Sequence, residues 1–293
     1  MWANICQIFD IKCHKTHDAS WGQGNILVSM FTKWIKSPFL HKTLFWGFVN
    51  QEIKGRYAGS MGGIFWSIIT PLANLLIFIF VFSVVLKIRL KPTETGTDSF
   101  VMYLLAGLLP WIAFSEAVSS STGMFVGKAN LITKVAFPLE LVPTAGILVT
   151  FILNGLGFIL FLLYLTFEGY CSMTWLSLPI ITAVFMVFTL GLVVLIASLS
   201  VFIRDIQQIM GSVLFLWMYL TPILYPIQMV PESLRFLIEI NPVNPFIELY
   251  HQVLLRHVIS YELFGQAVGF AMISFIAGVW FYNKSRNAFA DVL

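Results

Sequence analysis

Charged residues are scarce in this sequence. Asp, Glu, Lys and Arg make up 11% of its 293 residues, whereas hydrophobic residues make up 58% and the mean hydropathy is +0.87. An ordinary soluble domain carries about 25% charged residues. The shortage excludes a soluble globular domain and predicts an integral membrane protein. The net charge of +3 is too small to indicate a nucleic-acid partner.

Cysteine and catalytic motifs are also scarce. Three cysteines make no disulfide framework, and the spacing in residues 6–17, where two Cys and two His cluster, fits no zinc-binding pattern. The nearest approach to a nucleotide-binding loop, residues 123–129, has one residue too few between its glycines and lacks the Ser or Thr that would hold magnesium. No H-E-x-x-H, G-x-S-x-G or cluster of carboxylates lies in the apolar runs, which argues against an intramembrane enzyme. We expect this chain to bind no metal or cofactor.

The chain contains several long apolar runs. A helix needs about 20 apolar residues to cross a bilayer. Six runs are long enough: residues 64–86, 100–126, 141–167, 173–203, 206–225 and 264–282. They predict an all-α integral membrane protein with six transmembrane helices in residues 64–293. Glu116 is the only formal charge inside a run, and we expect it to lie near a helix end or to face protein.

The basic residues predict the orientation of these spans. With six spans both termini lie on one side of the membrane, and that side then holds 12 of the 17 Lys and Arg residues. Lys and Arg favour cytoplasmic loops. We therefore expect both termini in the cytoplasm.

Residues 37–63 are predicted to form an amphipathic interfacial helix and a hinge, after a cytoplasmic extension at residues 1–36. Ser37-Pro38 is suited to begin a helix, and Leu44, Phe45 and Phe48 lie along one of its sides. Such a helix lies in the plane of the membrane interface.

Residues 127–140 separate two apolar runs and are only half apolar, so they must lie outside the hydrocarbon. Leu131, Ile132 and Val135 share one side at helical spacing, which predicts a short docking helix. The alternative is an interfacial loop whose lysines contact lipid phosphates.

Residues 226–258 follow a run that prolines interrupt, at Pro222, Pro226 and Pro231. Broken backbone at membrane depth is tolerated where protein or a water-filled cavity surrounds it. We therefore predict re-entrant helices on the outer side, after the fifth span.

Four stretches carry a resemblance to a known family. They are Arg56-Tyr57-x-x-Ser60-x-x-Gly63-x-x-Trp66, residues 103–111, residues 130–143 and residues 281–293. Together they resemble the ABC-2 type permeases that export bacterial cell-surface polysaccharides such as O-antigen, over roughly residues 38–293. The resemblance implies a homodimer in the bacterial inner membrane that moves a lipid-linked polysaccharide. It also implies two copies of a separate ABC ATPase, which would bind the ATP and magnesium.

The resemblance implies a role for residues 127–140 as the coupling segment, the surface that the ATPase contacts. The coupling residues so implied are Asn130, Leu131, Ile132, Lys134, Val135, Phe137, Pro138 and Glu140, with Arg204 and Asp205 from the loop after the fourth span.

Substrate loading is predicted at the cytoplasmic mouth, by Lys54, Arg56 and Tyr57. The two cations could hold the diphosphate of a lipid-linked substrate, or they could extend to lipid phosphates instead. The candidate conduit and gate residues are Trp66, Trp111, Trp217, Tyr219, Tyr225 and Pro226. His251 departs from the family, which usually has arginine there.

Other functions remain open at this point. Within transport, the alternatives are an ABC-2 permease for a teichoic-acid-type polymer or for a small drug. From a different class, the alternative is a membrane-embedded lipid or sugar transferase.

Overall fold

The computed structural model describes residues 34, 36–59, 62–129 and 138–292. Helices make up most of them, and the only paired extended segments in these ranges form a single bridge between Arg89 and Ser99. The α-helices are α1 Lys42–Arg56, α2 Trp66–Phe78, α3 Pro92–Thr95, α4 Phe100–Ser121, α5 Leu141–Phe167, α6 Leu178–Phe202, α7 Ile206–Tyr219, α8 Glu232–Ile240, α9 Asn244–His251, α10 Tyr261–Ser285 and α11 Phe289–Val292.

Four helical segments are long and apolar enough to cross a membrane: Phe100–Ser121, Leu141–Phe167, Met173–Phe202 and Tyr261–Ala288. At 1.5 Å per residue, the 22 residues of the first reach about 33 Å, against about 30 Å of hydrocarbon. These helices confirm an all-α membrane protein. The remaining two apolar runs form shorter helices, Ile69–Val85 and Ile206–Tyr219.

Neither of the two shorter helices is a continuous α-helix over its whole apolar run. Helix α2 contains Pro71 and continues as a π-helix at Ile79–Val85. Helix α7 ends at Tyr219, shortly before Thr221-Pro222. The predicted span at residues 206–225 is therefore helical for 14 residues, because proline lacks the amide hydrogen that continues a helix.

Helix α4 lies at the centre of the core. Its Phe114 ring stacks on Phe185 and Phe188 of α6, and Phe246 of α9 packs against the same two rings. All four side chains are buried. The short helix α9 is thus packed among longer helices.

Helices α6 and α10 cross in close contact at two glycines. A Cβ atom added to Gly278 would lie 2.1 Å from the carbonyl oxygen of Gly191, and one added to Gly191 would lie 2.3 Å from the backbone of Ser274. Small residues allow membrane helices to approach this closely. These two glycines therefore set the distance between α6 and α10.

The proline-broken segment after α7 is held by Asn241. Its side-chain amide donates to the Thr221 hydroxyl at 2.8 Å and to the carbonyl oxygen of Leu220 at 3.2 Å, while its carboxamide oxygen accepts from the Trp217 indole at 2.9 Å. Asn241 thereby satisfies a carbonyl that the end of α7 leaves without a helical partner.

Candidate functional site

Most of the predicted coupling residues lie outside the described residues: Asn130, Leu131, Ile132, Lys134, Val135 and Phe137. Pro138 and Glu140 are described, and Glu140 is buried directly before α5. Arg204 and Asp205 form the exposed turn between α6 and α7. Their coupling role stays a prediction.

The predicted loading residue Arg56 has a specific partner in the structure. Its guanidinium donates to the Glu116 carboxylate and to the hydroxyl of Thr150. The other Glu116 oxygen accepts from the Asn154 amide at 2.7 Å. Three helices that are far apart in sequence, α1, α4 and α5, therefore meet at one carboxylate.

This ion pair explains how a carboxylate is tolerated in an apolar run. An unpaired charge at a helix centre costs about 2.5 to 3.5 kcal/mol on insertion scales. Glu116 lies near the C-terminal end of α4 and faces a cation and an amide, which confirms its expected location. The Arg56 side chain is 19% exposed and that of Glu116 is 41% exposed.

Each partner of the pair lines its own groove. Arg56 borders a pocket of about 370 Å³ with Gln51, Glu52, Gly55 and Lys128. We call it the loading pocket. Glu116 borders a second groove of about 520 Å³, the serine groove, with Ser115, Ser119, Ser120, Ile112 and Leu214. The ion pair therefore connects two openings with different polar linings.

Lys128 is a residue of the loading pocket that sequence reasoning did not assign to the site. Its ammonium lies 4.9 Å from the centre of the Phe48 ring, and burial lowers its pKa, with the Glu52 carboxylate opposing that shift. Its position at the start of residues 127–140, directly after Gly127, is the feature of the sequence that could have pointed to Lys128. Lys54, in contrast, is exposed and does not line this pocket, and Tyr57 is half-buried.

The predicted conduit aromatics fall into two groups and one isolated residue. Trp111 is 3% exposed and packs its ring edge-on against Trp217, 6.3 Å between centres. Tyr225 donates to the carbonyl oxygen of Tyr219 at 2.7 Å. Trp66 lies apart from both groups at the start of α2, with half of its surface exposed. The described structure therefore buries Trp111 within the chain and leaves Trp66 and Tyr219 accessible.

The candidate gate is anchored by Tyr103, another residue that sequence reasoning left unassigned. Its hydroxyl donates to the carbonyl oxygens of Pro222 and Tyr225, at 3.2 and 3.3 Å. Pro226 is buried beside this contact. The turn after α7 is therefore fastened to α4.

A second arginine–carboxylate pair lies near the opposite end of α4. Arg256 donates to Glu248 at 2.8 Å, and His251 lies 3.7 Å from the same carboxylate. The His251 ring is fully buried and stacks on Tyr103, with 4.1 Å between ring centres. Where the family usually has arginine, this chain has a buried histidine, and Arg256 binds Glu248.

These features define the class of the protein. It is a multi-pass α-helical membrane protein with a charged site between α1 and two of its long helices. The family model for ABC-2 type transporters matches residues 43–255, well over half of the chain. The chain therefore belongs to the ABC-2 type transporter family.

Three relatives illustrate this membership. The O-antigen export system permease protein RfbA of Klebsiella pneumoniae is 29% identical over 250 residues, which cover 83% of this chain and 92% of that protein. RfbA of Myxococcus xanthus is 30% identical, covering 76% of this chain and 84% of its own length. The polysialic acid transport protein KpsM of Escherichia coli is 22% identical, over 81% of this chain and 92% of its own length.

Proposed function

We propose that this chain is the permease subunit of an ATP-driven exporter that moves a lipid-linked cell-surface polysaccharide of the O-antigen type. The observation that carries the proposal is the similarity to O-antigen export permeases along most of the chain. The loading pocket, with two cations beside an amphipathic helix, suits a lipid-linked anion.

The proposed topology has six spans in the bacterial inner membrane, with both termini in the cytoplasm. Helices α2 and α7 would be the first and fifth spans, completed by the π-helix Ile79–Val85 and by the turn after Tyr219. Helices α8 and α9 would be the re-entrant pair. The charge asymmetry of the loops supports this orientation.

The serine groove supports a homodimer. Ser119 and Ser120 are exposed and Glu116 is half-exposed, on the side of α4 that α7 borders. Polar side chains inside a membrane face a protein partner or a water-filled cavity. A second copy of the chain would cover this face and enclose a conduit, and the two-fold axis would offer two coupling segments to two ATPase subunits.

Loading would begin by an exchange of ion pairs. A diphosphate entering the loading pocket would meet Lys128 and compete with Glu116 for Arg56, because phosphate and carboxylate accept the same guanidinium hydrogen bonds. Release of Glu116 would detach the end of α1 from α4. ATP binding by the partner would then move the coupling segment, and the glycan would pass toward the gate.

A continuous conduit suits a polymer better than a closed midplane pocket. Aromatic rings bind successive sugars weakly and alike, so the accessible rings of Trp66 and Tyr219 are the favoured lining. We expect Trp66→Ala or Tyr219→Ala to slow the export of long glycans more than it lowers ATP hydrolysis, and Tyr225→Ala to do the same because the Tyr225 hydroxyl binds the Tyr219 carbonyl.

The experiment that tests the proposal is reconstitution with the ATPase in vesicles. Translocation of a fluorescent lipid-linked glycan should require ATP and both subunits. Ile132→Pro and Lys134→Glu should abolish translocation while the ATPase still hydrolyses ATP, and exposed Lys91→Glu on the other side is the matched control. Export of a small drug but not of the glycan would favour the drug permease, and glycan transfer without any ATPase would favour the transferase.

A further inference from the structure

An apolar groove of about 740 Å³ lies beside the beginning of the interfacial helix. Helix α1 contributes Phe45 and Trp46, helix α5 contributes Ile147 and Leu148, and the neighbouring wall is formed by α6. This groove does not include any residue of the loading pocket or the serine groove.

A second apolar groove, of about 380 Å³, continues the first along α6. The two grooves share Ala183 and Met186, and together they follow α6 from Leu178 to Leu190. At 1.5 Å per residue this distance is about 18 Å. In the proposed topology α6 runs from the outer side to the cytoplasmic side, so the joined groove extends through both leaflets. Its wider part, which includes Thr144 near the cytoplasmic start of α5, is the part beside Lys42.

A cation marks one end of the joined groove. Lys42 lines the wider part and is exposed, and no carboxylate lines either part. Within the described ranges Lys42 has no ion-pair partner. Trp46, one turn further along α1, is of the type that favours headgroup depth. An ammonium group above an apolar slot is complementary to a phosphate that carries an acyl chain.

We propose that the wider part of the joined groove binds one anionic phospholipid, with its phosphate at Lys42 and one acyl chain between α5 and α6. The lipid would fill the space between α1 and the two long helices, so that α1 is held by lipid at its beginning and by the Arg56–Glu116 pair at its end. The site is independent of the identity of the exported substrate.

Retention of lipid by the purified permease–ATPase complex tests this site. The complex in detergent is incubated with equal amounts of dioleoyl-phosphatidylglycerol and dioleoyl-phosphatidylethanolamine, washed, and analysed by native mass spectrometry. The wild type should retain one phosphatidylglycerol per permease chain. Lys42→Ala should lower that retention about tenfold, to the level of phosphatidylethanolamine, and Ala183→Trp should lower retention of both lipids.

Two matched controls distinguish the groove from the general surface. Lys36→Ala removes a nearby exposed cation outside the groove, and Ile180→Trp enlarges an exposed α6 residue that does not line it. Both should retain lipid like the wild type. Equal retention of the two lipids by the wild type, or equal losses in Lys36→Ala and Lys42→Ala, would overturn the proposal. Displacement of phosphatidylglycerol by an equal amount of a polyprenyl phosphate would overturn it as well. Elution volume in size-exclusion chromatography verifies folding, and Lys42→Ala changes only an exposed side chain.

Discussion

Two arginine–carboxylate pairs lie near opposite ends of α4, and their surroundings differ. Arg256 and Glu248 are 25% and 17% exposed, next to a fully buried histidine. Arg56 and Glu116 are 19% and 41% exposed, and each lines a groove. The first pair therefore lies in a packed region, whereas the second borders two openings, where the proposed function has Arg56 exchange Glu116 for a ligand.

The largest expected effect is on stability, at the Arg256–Glu248 pair. Removing one member of a fully buried ion pair costs about 3 kcal/mol or more, and this pair, at 25% and 17% exposure, lies close to that limit. We expect Glu248→Ala to lower the free energy of unfolding in mixed micelles by about 3 kcal/mol. Glu232→Ala is the control, because Glu232 is 91% exposed and 4.0 Å from Arg235. Equal losses in both variants would contradict the comparison.

A smaller change in free energy is expected at the Arg56–Glu116 pair, in the binding of the lipid-linked glycan. Hydrogen bonds to charged groups contribute about 1.5 to 3 kcal/mol, or about tenfold and more in affinity. Arg56→Ala should therefore weaken binding of the lipid-linked glycan at least about tenfold, equally for every chain length, and should destabilise the protein less than Glu248→Ala does. The measurement is glycan binding to the purified complex. Unchanged binding would assign Arg56 a structural role alone.

Exchanging the two charges separates these roles. In the double variant Arg56→Glu with Glu116→Arg the opposite charges still face each other, so thermal stability should recover toward that of the wild type relative to Arg56→Ala. Loading should stay low, because α1 then presents a carboxylate to the loading pocket. Recovery of both properties would show that the pair only holds α1 in place.

The smallest effect is expected from freeing Arg56. Glu116→Gln keeps a hydrogen-bond acceptor but removes the charge that competes with the substrate. Binding of the lipid-linked glycan should then tighten about twofold to fivefold, a gain of roughly 0.4 to 1 kcal/mol. Ser120→Ala, in the same groove, is the control. Weaker binding in Glu116→Gln would contradict competition between the carboxylate and the diphosphate.

Local patterns predicted much of the fold. Apolar runs indicated each long helix, because run length depends only on neighbouring residues and on bilayer thickness. The segment that begins at Ser37-Pro38 is helical at residues 36–40 and 42–56, as predicted, while its location in the membrane interface stays a prediction. The isolated charge in the second run indicated that Glu116 would need protein around it, and it has Arg56 and Asn154.

Other features depend on residues that are distant in sequence. Glu116 and Arg56 are 60 residues apart, and Trp217 and Asn241 are 24 apart. No local spacing identifies such partners, since an exposed arginine and one that binds a carboxylate have the same neighbours in sequence. The sequence also could not predict that Trp111 is buried, because aromatic residues suit a conduit, a lipid face and a core equally well.

The sequence by itself determined that this chain is a helical membrane protein, where its apolar helices lie, and which family it resembles. These properties follow from composition and from short motifs. The tertiary structure decided that Gly191 and Gly278 bring α6 and α10 into contact, that Asn241 closes the broken end of α7, and that Arg56 is paired with Glu116. Each of these depends on which helix faces which, and helix pairing is set by the packing of all the helices together.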